Sequence, residues 1–174
     1  MNKLRWQVPW QGPVSFILCL IGIGISVYLT IVHYDAAVQV SCPATGAIDC
    51  VAVITSPQSV IFGLPVSLYG LVWFVGMAVL CSGWGWNVSS PSVTEFSESA
   101  AGGPSYGQVI GYLRLGGVIS GIGFVLYLIS VEAFDVHKIC LWCTSVHILE
   151  FILLVIVIST TGWSLGQLPQ VQAD

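Results

Sequence analysis

Four long apolar blocks alternate with polar stretches along this chain of 174 residues, and their spacing predicts the elements. Residues 14–34 run for 21 positions without a charge. A helix rising about 1.5 Å per residue needs roughly that many to cross a hydrocarbon core about 30 Å thick. Residues 66–86 repeat the pattern and end in Trp84-Gly85-Trp86, aromatic residues suited to a membrane interface. Residues 109–131 and 139–161 complete the set. The first block reads as a span rather than a cleaved leader, because it outruns the roughly 7 to 15 residues of a signal core and no small-x-small site closely follows it. In the third block Arg114 is expected to snorkel to water, and Gly117-x3-Gly121 predicts close helix packing.

The polar stretches complete an architecture. Residues 35–65 form a loop in which Ser56 before Pro57 reads as an N-cap and a first helical position, predicting a short surface helix from about Pro57. Gly63-Leu64-Pro65 ends that piece. Residues 87–108, rich in Ser, Gly and Pro, read as a flexible loop, and 162–174 as a polar tail. The expectation is an all-α integral membrane protein of one domain, 1–174: a four-transmembrane-helix bundle capped by an outward-facing loop and a short surface helix.

Composition closes alternatives. Charged residues make up 7% of the chain and hydrophobic ones 56%, whereas a soluble domain carries about 25% charge. With four Lys plus Arg against eight Asp plus Glu, no basic face exists to hold nucleic acid. Lys3, Arg5 and Arg114 fall on one side of the four-span arrangement and Lys138 on the other, so the positive-inside rule places both termini in the cytoplasm. Residues 35–65 then face outward and 87–108 inward.

That orientation sorts the six cysteines. Cys42, Cys50, Cys140 and Cys143 gather at the outer face, where disulfides persist. Cys19 and Cys81, near the cytoplasmic ends of the first two spans, read as small buried hydrophobes. The outer four form a C-x7-C and a C-x2-C, two pairs suited to exchange. The second pair opens the fourth span, where the positive end of a helix lowers a thiol's pKa. Cys140, Cys143, His147 and Glu150, spaced 3, 4 and 3, share one helical stripe. At about 1.5 Å per residue Cys143 lies about 4.5 Å deeper than Cys140, and Glu150 about 15 Å deeper. A carboxyl at that depth costs about 2.5 to 3.5 kcal/mol to insert, so Glu150 should face the bundle interior with a partner or a proton. The stripe could give both electrons and protons to a lipid-soluble quinone; otherwise His147 and Glu150 simply bond neighbouring helices. His33 and His137 read as interfacial residues. No metal is expected, since C-x7-C is wider than usual zinc-ligand spacing.

Cys42-Pro43-x6-Cys50, Ser56, Ile61-Phe62-Gly63-Leu64-Pro65 and Cys140-Leu141-Trp142-Cys143, in this order on this topology, resemble the vitamin K epoxide reductase family, especially its bacterial members. The resemblance implies a thiol oxidase of the cytoplasmic membrane that takes electrons from a DsbA-like or thioredoxin-like partner and reduces menaquinone or ubiquinone. It implies catalytic roles for Cys42, Cys50, Cys140 and Cys143. Cys42 would be attacked by the partner's thiolate, Cys50 would pass electrons to Cys140, and Cys143 would face the quinone. Ser56, with Ser59, Phe62, His147 and Glu150, would support the quinone site. His147 stands where the animal enzymes carry a tyrosine, which favours a quinone over an epoxide. Many bacterial members carry a fused thioredoxin-like domain; nothing after Thr161 is long enough for one, so the partner is expected to be separate or the chain to stop short of it. The rival readings are a vitamin K epoxide reductase proper and a non-enzymatic metal-binding or structural tetraspan protein.

Overall fold

A computed structural model describes residues 10–35, 37–42, 45–82 and 106–165. Lys3, Arg5, the Trp84-Gly85-Trp86 cluster, residues 87–105 and the tail beyond 165 lie outside the described residues. Helix α1 spans Gln11–Tyr34, α2 Cys50–Ile54, α3 Val66–Cys81, α4 Tyr106–Ser130 and α5 Leu141–Leu165. Three helical stretches, Gln11–Tyr34, Val109–Val136 and Leu141–Ser159, are long and apolar enough to cross a membrane; α3, with 16 described residues, is shorter. The chain is an integral membrane protein, and many of its large apolar side chains, such as Ile17, Val72, Ile119 and Val155, point outward from the bundle.

The short helix expected from Pro57 begins earlier, at Cys50. Asp49 caps it: its Oδ1 accepts from the Ala52 N–H at 3.0 Å, satisfying a donor the first turn cannot use. Pro57 opens only a 3₁₀ turn, Pro57–Ser59, in which the Ser59 hydroxyl donates to the carbonyls of Ile54 and Ser56. A two-stranded hairpin follows, β1 (Val60–Ile61) against β2 (Leu64–Pro65). Its turn residues Phe62 and Gly63 have φ of 51° and 79°, as a tight primed hairpin turn requires.

The fourth apolar block departs from expectation at both ends. Residues 139 and 140 are held outside the helix, because the Ile139 N–H donates to the Ala47 carbonyl and its own carbonyl accepts from the Asp49 N–H. At the far end the helix runs on to Leu165, through residues read as tail. The turn expected at 132–138 is a π-helical continuation of α4, Val131–Val136, closed by His137 in the left-handed conformation (φ 54°).

Packing explains two intramembrane polar features. Arg114 does not snorkel. It is buried, and its Nε and Nη2 donate to the Leu80 carbonyl at 2.9 and 2.6 Å. The last carbonyls of α3 lack helical partners, and the guanidinium satisfies one of them where the helix end is negative. The GxxxG does serve close approach: the Trp73 Nε1–H donates to the Gly117 carbonyl at 3.0 Å, and Met77 packs where a Gly117 side chain would stand.

Buried residues form two clusters. One joins Cys19, Phe74, Met77, Ala78, Cys81, Val118, Leu153 and Val157; the other joins Leu29, Val32, Cys50, Val53, Ile54 and Cys140. Gly22 on α1 admits the Phe74 ring of α3, which a Cβ would overlap. Gly22→Val should therefore destabilise the bundle by about 1 to 3 kcal/mol through overpacking. Thermal unfolding in detergent measures it, with Gly24→Ala as the control because a Cβ there meets nothing within 4 Å.

Candidate functional site

Cys42, Cys50, Cys140 and Cys143 converge because the loop is stitched to the start of α5. Besides the Ile139 bonds to Ala47 and Asp49, the Lys138 ammonium donates to the Gly46 carbonyl at 2.8 Å, and the Trp142 Nε1–H to the Ser41 carbonyl at 3.2 Å. Trp142 also packs on Tyr28 of α1, ring centres 5.0 Å apart, and the Tyr28 hydroxyl accepts from the Ser41 N–H. Ser41 precedes Cys42, so the tryptophan inside the C-x2-C holds the neighbour of the other pair.

Cys42 and Cys50 form a disulfide with Cα atoms 6.1 Å apart. Cys140 and Cys143 are thiols whose sulfurs stand 2.6 Å apart, and the Cys143 N–H donates to the Cys140 sulfur. Cys50 and Cys140 are almost wholly buried in one cluster, with Cys42 and Cys143 packed against it. The Cys140 thiol is drawn below its ordinary pKa, first by the hydrogen bond from Cys143 and then by backbone amides at the opening of α5, against an opposing push from burial. A lower pKa supplies more of the thiolate that exchange requires.

Behind Cys143 lies a cavity of about 350 Å³, within the range that takes small molecules. Leu29, Val53, Phe74, Phe124, Val125 and Leu128 give it an apolar wall, and of Cys42, Cys50, Cys140 and Cys143 only Cys143 lines it. Ser56, Ser59, His147 and Glu150 line it as well. The hydroxyls of Ser56 and Ser59 are turned to backbone carbonyls of the α2 region. His147 Nε2 and both Glu150 carboxyl oxygens are buried without a hydrogen-bond partner among the described residues. Glu150 lies against Gly121 of α4, the second glycine of the GxxxG, beside Trp73.

Phe62 is different. It sits at the hairpin tip, 96% exposed, and does not line the cavity. The positive φ that the tight turn imposes points its side chain away from the bundle.

A model of the vitamin K epoxide reductase family matches residues 13–158. The chain belongs to that family. A comparison with curated proteins finds no match. Membership of the vitamin K epoxide reductase family makes the chain a membrane oxidoreductase. Its cavity and cysteine cluster are the parts of this family member that chemistry has to be read from.

Two residues at the cavity were missed in the sequence. His33 is on its wall, with Nδ1 3.0 Å from the Ile54 carbonyl, so Nδ1 carries a proton and Nε2 is left for the cavity. The signal was its place on the buried face of α1, in step with Ser15, Cys19, Gly22, Ser26 and Leu29. Glu132 is buried, lines the cavity, and brings its carboxylate within 4.8 Å of the sulfurs of Cys140 and Cys143. It stood in what read as a turn. His137 is exposed, and its Nδ1–H donates to the Ala133 carbonyl at 2.9 Å. Cys19 and Cys81 meet in the other cluster, thiol to thiol, away from the cavity lining. Cys19→Ala should leave quinone reduction in membranes unchanged within assay error.

Proposed function

We propose that this protein is a thiol:quinone oxidoreductase of the cytoplasmic membrane that reoxidises a DsbA-like or thioredoxin-like partner outside it. The observation that carries the reading is the placement of Cys143 on an apolar cavity while Cys140 shares a buried cluster with Cys50. One cysteine pair thus has a lipid-like face and a neighbour able to deliver electrons.

The relay runs through bond exchanges. A partner thiolate attacks Cys42, the Cys42–Cys50 bond breaks, and Cys50 leaves as thiolate. The partner's second thiol then releases both loop cysteines reduced. Cys50 attacks Cys140 of an oxidised C-x2-C and Cys143 leaves; Cys42 then closes on Cys50, Cys140 leaves, and the inner pair ends as two thiols with the loop disulfide restored. Oxidising them back to the disulfide sends two electrons and two protons to the quinone, which leaves as quinol. Each transfer follows reduction potential, about 30 mV amounting to about 1.4 kcal/mol for a two-electron couple.

In this reading α1, α3, α4 and α5 are four spans, both termini are cytoplasmic, and the cysteines lie at the outer face. Ser56, Ser59, His33, His147 and Glu150 surround the quinone head group, the last two offering protons. Quinone is the acceptor rather than an epoxide, because His147 replaces the tyrosine of the animal enzymes. The test is quinone reduction by purified protein in lipid, driven by a reduced DsbA-like protein; no reduction of either menaquinone or ubiquinone would overturn it.

A second reading rests on the nearness of Glu132, Cys140 and Cys143, a set that could hold a metal ion. Two thiolates and one carboxylate suit zinc with an open position. Stoichiometric zinc in protein purified without added metal would favour it over the relay.

A further inference from the structure

We propose that Glu132 is the proton-handling residue of the inner cysteine pair, donating to the sulfurs as they are reduced and returning those protons as the quinone oxidises them. The inference rests on the thiol:quinone reading above. Three observations converge on this side chain. Its carboxylate is within 4.8 Å of both sulfurs, it is buried, and it lines the same cavity as Cys143. The π-helical turn Val131–Val136 puts it there.

The chemistry of a buried pair demands such a group. When Cys50 attacks Cys140, the sulfur of Cys143 leaves with an electron pair, and when Cys42 closes on Cys50, the sulfur of Cys140 leaves likewise. Cys140 is wholly buried, and two thiolates in contact away from water are costly. A protonated Glu132 gives its proton to one leaving sulfur and becomes carboxylate, taking a second proton from the outer surface. In the oxidising half, the S–S bond forms as both thiol protons leave. Glu132 accepts one and passes it into the cavity it lines, and the quinone takes two protons and two electrons. Atoms and electrons balance: two thiols and a quinone become one disulfide and a quinol.

Other ionisable groups surround this site. Cys140, Cys143, His147 and Glu150 come from α5 and its approach, His33 from α1, Tyr69 from α3 and Cys50 from α2. Asp135 and His137 share the turn with Glu132, and both are exposed. Of the carboxyls, Glu132 belongs to the metal-ion-sized cluster with both sulfurs, whereas Glu150 lies against Gly121.

Glu132→Gln separates proton handling from structure, since the amide keeps the size and polarity of the carboxyl but does not titrate. Full-length protein in lipid, fully reduced, is mixed with a short-chain benzoquinone, and single-turnover oxidation is followed across pH in water and in deuterium oxide. The expected result is a rate at least tenfold below wild type for Glu132→Gln, with the wild-type pH dependence and solvent isotope effect altered, and with unchanged mixed-disulfide formation at Cys42. Glu132→Asp should recover part of the rate with a displaced pH profile. Wild-type rate, profile and isotope effect in Glu132→Gln would overturn the proposal. Should that variant not fold, Glu132→Asp decides: a wild-type profile overturns the proposal, a displaced one supports it. Wild-type protein that fails to reduce the quinone would instead refute the thiol:quinone reading itself.

Discussion

Cys143→Ala is expected to reduce thiol-driven quinone reduction to the level of membranes lacking the protein. No other member of the outer quartet touches the cavity, so no other sulfur can take over the last transfer. The loss should fall on the final step alone. Cys42 and Cys50 are joined 6.1 Å apart at Cα and remain able to accept a partner thiolate, so partner oxidation should proceed for one turnover and then stop. Stopped-flow absorbance of the quinone, together with thiol counting of the partner, separates these phases. Quinone reduction at the wild-type rate in Cys143→Ala would contradict the relay. The proposed relay makes the effect total rather than graded, because in it Cys143 carries the electrons instead of assisting their transfer.

Cys50→Ala should give the second large effect, a trapped intermediate. In the proposed relay a partner thiolate at Cys42 forms a mixed disulfide that persists only until the partner's own second thiol resolves it, and Cys50, released next door, carries electrons onward. Without Cys50 no loop disulfide exists and Cys42 is left as a thiol, which exchanges with an oxidised partner to give an intermolecular disulfide; the freed second partner thiol can reverse this, so acid quenching and alkylation are used to hold it. Electron flow to the inner pair stops as well, since Cys50 is the loop sulfur sharing the Cys140 cluster. Non-reducing electrophoresis should show a new species at the summed mass that vanishes with reductant and is absent from Cys42→Ala/Cys50→Ala. Steady quinone reduction by Cys50→Ala at the wild-type rate would show that electrons reach Cys140 by another route.

These two variants divide the site at the boundary the chain itself draws. The loop pair is held on one side by the Ile139, Lys138 and Trp142 hydrogen bonds, and the cavity opens on the other. Trp142 is therefore more than a spacer in the C-x2-C: it ties Ser41 and Tyr28 to the helix that carries Cys143.

Much of this was legible in the sequence. The apolar blocks marked α1, α4 and α5, because length and the absence of charge suffice to define a segment that water rejects. The stripe of Cys143, His147 and Glu150 followed from helical periodicity alone, with His147 and Glu150 buried on it and Cys143 at the cavity, while Cys140, read as its first member, is buried just outside the helix. The six cysteines also fell as read, four together and Cys19 with Cys81 apart.

What the sequence left open depended on partners distant along the chain. Arg114 looked like a snorkelling residue because nothing local announces that the open carbonyl of Leu80 awaits it across the helix interface. Phe62 looked like part of the site by proximity to its motif, but a turn needing positive φ at two successive residues directs it outward. Glu132 was hidden inside an apparent turn. Local propensity hardly distinguishes a turn from one wide helical coil, and only the docking of residues 47–49 against Ile139 fixes which forms. By itself, then, the sequence determined that the chain enters the membrane, which helical faces turn inward and which thiols stand three residues apart, since these follow from periodicity and hydropathy. Tertiary structure alone decided which sulfur meets the cavity and which carboxylate meets the sulfurs, because those contacts join groups on different elements whose relative placement only packing sets.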